Sequence, residues 1–439
     1  MAGMVLSSGE DLLEDLQSHF ALYDCNGKYW IVDKETFADK SKPAQVSYYD
    51  DKNAQLHLER YLETLPIAVN AKEAIKQFRR HPNTEVYRQV VFNPNPVPGA
   101  INLWRDPAVE PANGDHKVLH DFINDVICSG LTESSAYLFC FLAHMLQRPA
   151  EKPGVMPVLM GGQGTGKGTF FKLLNRIFAN SFIQVNDVNH VISNFNAQLE
   201  TAYVVCMDEA MFSGDKKSLQ RLKSLITEPQ IRVEQKYQPA RNVTSLHRFF
   251  AATNDARFTH TEFDDRRFLY LEVSSHRKKD YEYFAEVLSA IADDSQIGSF
   301  VSYLNSIDLS DFNVFELPKL QSHLEQRLSS LSGFERFWFE VLNYGNLCGN
   351  DNDLMTWDES TKVKSSQLMW YFECFDKHAS RYEKMQIRTM TAKLKKLCPS
   401  VSHIKFQDNN KQVRGIQLPS LTQARAEFEV FMQAEISWS

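Results

Sequence analysis

The sequence of 439 residues has no long hydrophobic run. Its longest apolar runs, such as residues 137–145, are much shorter than the roughly 18 residues that cross a bilayer. The acidic segment 9–15 near the start has the wrong charge for a signal peptide. We therefore expect a cytoplasmic protein with no membrane partner.

Cysteine is scarce and scattered. The seven cysteines are odd in number and never stand in CxxC spacing, which argues against a disulfide framework and against a zinc site. Disorder is excluded as well, because 43% of the residues are hydrophobic and no polar tract is long. We expect mostly buried thiols at Cys25, Cys128, Cys140, Cys206, Cys348, Cys374 and Cys398.

An overall positive charge is also missing, since the net charge is −7. The basic residues concentrate in residues 362–414, where 12 Lys and Arg stand against 4 Asp and Glu. A local excess of this kind is either a solvated face or part of a domain that binds phosphate groups. Composition alone leaves both readings open.

The chain length predicts several domains. From residue 155 to about 273, short apolar runs alternate with helical segments, a pattern typical of a mostly parallel sheet covered by helices. The predicted regions are an N-terminal α+β region of unknown role (1–110), a helical lead-in or oligomerisation segment (111–150), an α/β core (151–280), a helical connector (281–345) and a winged-helix-like basic module (346–439).

A glycine-rich loop follows the apolar run 155–160 and opens a helix. Such a loop directs backbone N–H groups and a helix N-terminus at a polyphosphate, and Lys167 reaches the terminal phosphates. Gly168 stands where Ser or Thr usually ligates magnesium. Thr169, the next residue, must therefore bind Mg²⁺ or leave the ion to waters and a distant carboxylate. The predicted ATP-binding residues are Gly161, Gly162, Gln163, Gly164, Thr165, Gly166, Lys167, Gly168, Thr169 and Phe170.

Two further apolar runs end in polar residues. Asp208 and Glu209 follow the run 203–207, about 40 residues after the loop. We assign Asp208 to the Mg²⁺ shell and Glu209 to the activation of the attacking water. Asn254 ends the run 248–253 and could bond the γ-phosphate or that water, although alone it would be read as a turn cap.

Arg266 and Arg267 follow soon after Asn254. An arginine here could supply the finger that stabilises transition-state charge in phosphoryl transfer. The alternative is a surface ion pair with Asp264 and Asp265.

Two segments suit DNA. Residues 231–243 alternate and turn near a proline, so Lys236 can meet a phosphate and Tyr237 can stack on a base at the tip of a β-hairpin. Residues 363–418 predict helix, helix and two strands, a winged-helix pattern that binds either duplex DNA or protein. The basic residues predicted to contact a duplex backbone are Arg388, Lys393, Lys395 and Lys396.

The order of these motifs resembles the superfamily 3 helicases of viruses, phages and plasmids, which are AAA+ motors. It is most similar to the helicase half of phage and plasmid primase-helicases related to the poxvirus enzyme. Residues 100–104, 142–149 and 415–419 extend the resemblance to about residues 90–432. The first 90 residues lack a pattern of paired catalytic carboxylates, so we expect no primer synthesis by this chain.

The resemblance implies an α/β AAA+ P-loop ATPase core that uses ATP and Mg²⁺. It further implies a homo-hexameric ring that acts on single-stranded and forked DNA with 3′ to 5′ polarity, in which the Lys236 hairpin tracks the strand. A separate primase or polymerase would be a further partner.

Two other functions share part or all of this motif pattern. A small-molecule phosphotransferase of the adenylate-kinase type shares the Gly-Lys-Gly-Thr string, but it places that loop at the extreme N-terminus and needs neither the Thr-Asn strand end nor the arginine pair. An AAA+ ATPase that binds DNA without unwinding it, as an initiator, loader or defence component, shares every motif. Only assays separate the latter from a helicase.

Overall fold

The computed structural model describes residues 9–25, 27–65, 70–186, 189–192, 196–208, 216–233, 241–254, 266–318, 324, 328, 331, 333–348, 354–375, 385–408, 411–432 and 434–438. The chain divides into two compact units. The first includes Met1–Phe258 and Arg266–Pro318, and the second includes Lys319–Ser439. None of the helices in these ranges is long and apolar enough to span a bilayer.

The first unit begins with a small sheet and its helices. The elements are α1 (Gly9–His19), β1 (Phe20–Cys25), β2 (Lys28–Asp33), α2 (Glu35–Ala38), β3 (Tyr48–Tyr49), α3 (Asp51–Glu63), α4 (Ala71–Arg80) and β4 (Val86–Tyr87), with the strands in the order β3-β2-β1-β4. The Asn70 side chain accepts the Glu73 N–H at 3.3 Å and so caps α4. Ala74, Ile75 and Phe78 form the buried stripe of that helix.

A buried arginine anchors the next segment. That segment contains β5 (Gln89–Val91), β6 (Ala100–Asn102), α5 (Lys117–Asp121), a π-helix (Phe122–Ile127) and α6 (Thr132–Gln147). Arg105 is 1% exposed and donates to the carbonyls of Lys42 (2.7 Å), Phe37 (3.0 Å) and Trp104 (3.0 Å). Because a buried guanidinium needs acceptors for its donors, these bonds join the start of the chain to the segment after β6.

Five parallel strands form the central sheet. They are β7 (Met156–Met160), β8 (Phe182–Val185), β9 (Val204–Met207), β12 (Arg248–Thr253) and β13 (Phe268–Glu272), in the order β13-β7-β12-β9-β8. Every residue of β9 and β12 is buried, as expected for a parallel sheet covered on both faces. The prediction of a mostly parallel α/β sheet is confirmed.

The remaining elements of the first unit surround this sheet. Helices α7 (Lys167–Ile177), α8 (Asn189–Ile192) and α9 (Lys216–Thr227) connect its strands, β10 (Gln230–Val233) pairs antiparallel with β11 (Arg241–Thr244), and α10 (Tyr281–Ala292) and α11 (Asp294–Ser306) follow. The Ala112 N–H donates to the Gly298 carbonyl at 3.0 Å. Helix α11 therefore packs with the segment before α5.

A buried arginine and a half-buried lysine lie at the amino ends of the strands. Arg248 is 0% exposed, donates to the carbonyls of Leu246 (2.7 Å) and Glu151 (2.5 Å), and lies over the Tyr203 ring at 4.9 Å. Lys152 donates to the Leu225 carbonyl at 2.7 Å. Desolvation lowers the pKa of Lys152 to about 7, because burial disfavours the ammonium form.

The second unit has its own core. Its elements are α12 (Phe334–Tyr344), β14 (Asn346–Cys348), β15 (Leu354–Thr356), β16 (Thr361–Lys364), α13 (Ser365–Phe375), α14 (Ile387–Leu397), β17 (Ser402–Asp408), β18 (Lys411–Leu418) and α15 (Leu421–Met432). Trp338, Tyr371, Leu394 and Ile416 are fully buried in this core. Strands β16, β18 and β17 form an antiparallel sheet in that order.

The division between the units falls inside the predicted connector 281–345. Helices α10 and α11 belong to the first unit, whereas α12 belongs to the second. All seven cysteines are free, but only Cys128, Cys206 and Cys398 are buried. The expectation of mostly buried thiols was therefore wrong; Cys348, for example, ends the short strand β14 and is exposed.

Candidate functional site

The glycine-rich loop connects β7 to α7 at the carboxyl edge of the central sheet. Gly164 and Gly166 have φ angles of +77° and +109°, which side chains rarely adopt. A Cβ atom on Gly166 would lie 3.0 Å from Phe284 Cε1 and 3.2 Å from Phe122 Cε2. The loop therefore requires glycine at position 166, both for its backbone angle and for two aromatic neighbours.

The Lys167 ammonium connects the loop to the neighbouring strand end. Lys167 Nζ donates to the carbonyls of Gly161 (2.5 Å) and Gly162 (2.8 Å) and to Asn254 Oδ1 (2.9 Å). Thr165 Oγ1 also donates to the Gly162 carbonyl, at 2.9 Å. Lys167, predicted to reach the terminal phosphates, is thus in direct contact with Asn254, predicted to bond the γ-phosphate or the attacking water.

Asp208 follows β9, the strand on the other side of β12. Its backbone N–H donates to the Val185 carbonyl at 2.9 Å, and Gln184 Nε2 donates to Asp208 Oδ2 at 3.1 Å. The carboxylate therefore lies at the same sheet edge as the loop and Asn254. Glu209, the predicted catalytic base, lies outside the described residues.

A cavity of about 730 Å³ opens at this edge. It is lined by the predicted residues Gln163, Gly164, Gly166, Lys167, Gly168, Thr169, Asp208 and Asn254, and also by Lys172, Ala252, Thr253, Lys278, Lys279, Tyr281 and Phe284. Four lysines and one aspartate give the lining a positive charge, which suits a polyphosphate. Phe170 contributes no lining; it is fully buried, packs edge-on against Phe250, and its N–H donates to the Gly166 carbonyl at 3.0 Å.

The segment after β13 supplies lining residues that the sequence analysis missed. Lys279 has a φ of +69°, an uncommon angle for a residue with a side chain. The Asp280 carboxylate caps α10 through the Tyr283 N–H at 3.1 Å and pairs with Arg277 at 3.0 Å, which together lower its pKa. The run of three bases, Arg277, Lys278 and Lys279, was the available signal.

Arg266 and Arg267 lie at the opposite edge of the sheet. The Arg267 carbonyl accepts the Met156 N–H at 2.7 Å, at the start of β7, whereas the loop follows its end. Five strand residues at about 3.3 Å each place about 16 Å between the two edges. Arg266 is exposed and lies over the Phe315 ring at 5.8 Å.

The predicted DNA contacts fall in both units. Lys236 and Tyr237 lie outside the described residues, but the strands before and after them, β10 and β11, pair antiparallel from Gln230 opposite Thr244 to Val233 opposite Arg241. In the second unit, one exposed face of α14 carries Arg388, Lys393, Lys395 and Lys396. Lys396 also lies over the Phe431 ring at 5.7 Å.

A further basic pair lies on the β17–β18 hairpin. Lys405 stands directly opposite Arg414, and both are exposed. Like charges directly opposite in a sheet are destabilising, so stability does not account for the pair. On the other face of the sheet, position 415 must be glycine to leave room for the Phe406 ring, because a Cβ atom there would lie 2.3 Å from Phe406 Cε1. Strand register brings these two basic side chains together, and no local sequence motif indicated the pair.

Residues able to ligate a metal ion are scattered in both units. The described ranges hold no group of three or more His, Cys, Asp or Glu residues able to bind a metal. A magnesium ion at the loop would therefore depend on few protein ligands, as Mg²⁺ bound together with nucleotide phosphates usually does.

Comparison with known proteins gives three results. Residues 159–267 match the model of a family described as a family of unknown function, DUF5906. A stretch of 203 residues, 43% of this chain, is 28% identical to the DNA primase-polymerase of Nitratiruptor phage NrS-1 and spans 28% of that protein. The chain is thus related in sequence to a phage replication protein, over less than a third of that protein's length.

The solved structures show the same fold. The apo structure of the NrS-1 C-terminal region (305–718) superposes with a TM-score of 0.65 and 18% identity, over 92% of this chain and 98% of that one. The A form of the same region gives a TM-score of 0.65 at 17% identity. The mixed α/β architecture with its parallel sheet is therefore shared with the C-terminal region of the NrS-1 protein.

Proposed function

We propose that the chain is an ATP-dependent DNA helicase, a AAA+ motor of superfamily 3 type, that serves replication of a phage, plasmid or related mobile element. The contact of Lys167 Nζ with Asn254 Oδ1 at 2.9 Å carries the proposal, because it joins a phosphate-binding loop to a polar strand end in a basic cavity. The relationship to a phage DNA primase-polymerase supports the replication context.

The residues present fit ATP and Mg²⁺. The cavity volume of about 730 Å³ lies within the range of small-molecule sites. Backbone N–H groups at the start of α7 would bind phosphate oxygens, and Thr169 and Asp208 would hold the ion. Bound Mg²⁺ supplies charge neutralisation on the β- and γ-phosphates.

The side chains divide the chemical tasks. Lys167 orients the terminal phosphate, and Asn254, already bonded to Lys167, positions the same group or the attacking water. Glu209 accepts the proton of that water. Tyr281, 81% exposed at the cavity, offers an aromatic surface to a base.

The position of the arginine pair supports a ring. About 16 Å separates the two sheet edges, by the rise of a five-residue strand, and an arginine side chain is too short to cross that distance. We infer that Arg266 or Arg267 acts on the nucleotide of a neighbouring subunit, in a homo-hexamer. The sheet direction supports this assignment because both arginines precede β13, at the edge away from the loop.

DNA contact is assigned to both units. The hairpin between β10 and β11 would direct Lys236 and Tyr237 at a single strand, with phosphate contact and stacking. The order β16, α13, α14, β17, β18 supports a winged helix. Its α14 bases and the Lys405–Arg414 pair would contact a duplex backbone.

Paired assays test the proposal. ATP hydrolysis would be measured with and without single-stranded DNA, next to strand displacement on forked DNA of both polarities. We expect DNA-stimulated hydrolysis and 3′ to 5′ unwinding, both lost in Lys167→Ala. DNA-stimulated hydrolysis without unwinding would instead identify a DNA-binding ATPase such as an initiator or loader, and the absence of ATPase activity would refute the motor.

The ring has a separate test. The double variant Arg266→Ala, Arg267→Ala and the variant Lys167→Ala should each bind ATP without hydrolysing it. Mixing them should restore part of the activity, because some interfaces then pair an intact loop with an intact arginine. Mixed rings that form but remain inactive would contradict action between subunits.

A further inference from the structure

The N-terminal part of the first unit carries a basic groove between α3 and α4 that has no role in the proposed motor. The groove is a cavity of about 480 Å³ lined by Gln55, Lys72, Ile75, Lys76, Arg79 and Arg80. Four of these six residues are basic and none is acidic. The stretch 1–361 is otherwise acidic, with a net charge of −13, so the groove departs from its surroundings.

Helix stability does not explain the placement of these bases. Lys72, Lys76 and Arg80 follow one another at intervals of four residues, where like charges repel. Lys72 also stands in the first turn, where the helix dipole disfavours a positive charge. Only the last-turn position of Arg79 and Arg80 is favourable to the helix itself.

The burial pattern of α4 leaves its basic residues on the exposed side of the helix. Ala74, Ile75 and Phe78 fix one face of the helix in the core, and Lys72, Lys76 and Arg80 are exposed. Glu73 contacts Lys76 at 3.4 Å but does not line the groove. The Lys76 side chain is 55% exposed and the Glu73 side chain is 52% exposed, so this ion pair is weak.

We propose that the α3–α4 groove binds the phosphodiester backbone of DNA. The nine residues from Lys72 to Arg80 are separated by eight steps and rise about 12 Å along the helix axis. Over that length of duplex axis, one DNA strand presents three to four phosphates, one per about 3.4 Å. Two arginine forks suit phosphate oxygens. The Gln55 amide donates one N–H to the Glu59 carboxylate at 2.9 Å, which leaves its second N–H for a phosphate. This assignment rests on the proposed function, because it requires that the chain binds DNA.

Salt-dependent DNA binding tests the groove. The variant Lys72→Gln, Lys76→Gln is compared with wild type by fluorescence anisotropy on a labelled single-stranded 30-mer and its duplex. Arg60→Gln, Arg88→Gln is the matched control, since it removes two exposed positive charges of the same region outside the groove. Thermal unfolding of each variant checks that folding is unchanged.

The expected effect follows from counterion release. Loss of two phosphate contacts should make the slope of log K against log salt less negative by about 1.4 for the single strand, and weaken binding about 25-fold at about 0.1 M salt. The control variant should bind like wild type. Lys72→Arg, Lys76→Arg should also keep wild-type binding.

Three results would overturn the inference, and they are distinguishable. Equal affinity and equal slope for the groove variant and wild type would exclude the groove as a DNA-binding site without contradicting the proposed motor. A wild-type chain that binds neither probe at low salt would refute DNA as the ligand, and with it the proposed function. An equal loss in the control variant would show only general charge attraction, which also contradicts a specific groove.

Discussion

Replacement of Gly166 by alanine tests the loop geometry most directly. An alanine at a φ of +109° is strained by about 1–3 kcal/mol. Its Cβ would also approach Phe284 and Phe122 to 3.0 Å and 3.2 Å, so either the rings or the loop must move. Because the Gly166 carbonyl accepts the Phe170 N–H, a shift at position 166 also disturbs the first turn of α7.

The expected result has two parts. At about 2–4 °C per kcal/mol for a large domain, the melting temperature of the first unit should fall by roughly 3–10 °C. Affinity for a non-hydrolysable ATP analogue should fall tenfold or more, a loss of about 1.4 kcal/mol. Differential scanning calorimetry and isothermal titration calorimetry measure the two quantities.

Gly168→Ala is the matched control. No protein atom lies within 4 Å of a Cβ at that position, and its φ is not in the left-handed region. Alanine there should leave stability unchanged or raise it by about 0.5 kcal/mol, so this variant is the control for the stability measurement. Wild-type stability and affinity in Gly166→Ala, or equal losses in both variants, would refute the argument from backbone angle and aromatic neighbours.

Three further predictions concern chemistry, coupling and pH. Glu209→Gln should bind ATP but hydrolyse it slowly, and Asp208→Asn should raise the Mg²⁺ concentration needed for turnover; unchanged Mg²⁺-dependent turnover in both would refute the strand-end assignment. Lys236→Ala should retain basal hydrolysis but lose DNA stimulation and unwinding, and wild-type unwinding would exclude the hairpin as the DNA contact. Because burial lowers the pKa of Lys152 to about 7, the unfolded state binds more protons between about pH 7 and 10.5, and stability from this group rises with pH across that window. Urea unfolding should therefore show wild type gaining up to about 2–3 kcal/mol over Lys152→Met from pH 7 to 9, and a constant difference would show that the lysine is not buried as a neutral amine.

Much of the site was predictable because its parts are local in sequence. The glycine-rich loop, its helix and the strand ends at Asp208 and Asn254 each depend on a few consecutive residues. Parallel strands then bring their carboxyl ends to one edge, so these residues meet once the sheet forms. The two helices and two strands of residues 363–418 were predicted from periodicity for the same reason, and the structure has them in that order as α13, α14, β17 and β18.

Other features depend on contacts between distant segments. Lys278, Lys279 and Tyr281 reach the cavity because β13 lies beside β7, an adjacency that no local pattern encodes. The Lys405–Arg414 pair depends on strand register, and the α3–α4 groove depends on how two helices pack.

The sequence by itself determined a glycine-rich loop between a strand and a helix, a parallel sheet and the polar ends of its strands, since turn chemistry and hydrophobic periodicity act over a few residues. Only the tertiary structure decided which basic residues line the cavity beside that loop and at which edge the arginine pair lies. It also decided where further basic residues lie close together, because strand order, register and helix packing join residues that are far apart in the chain.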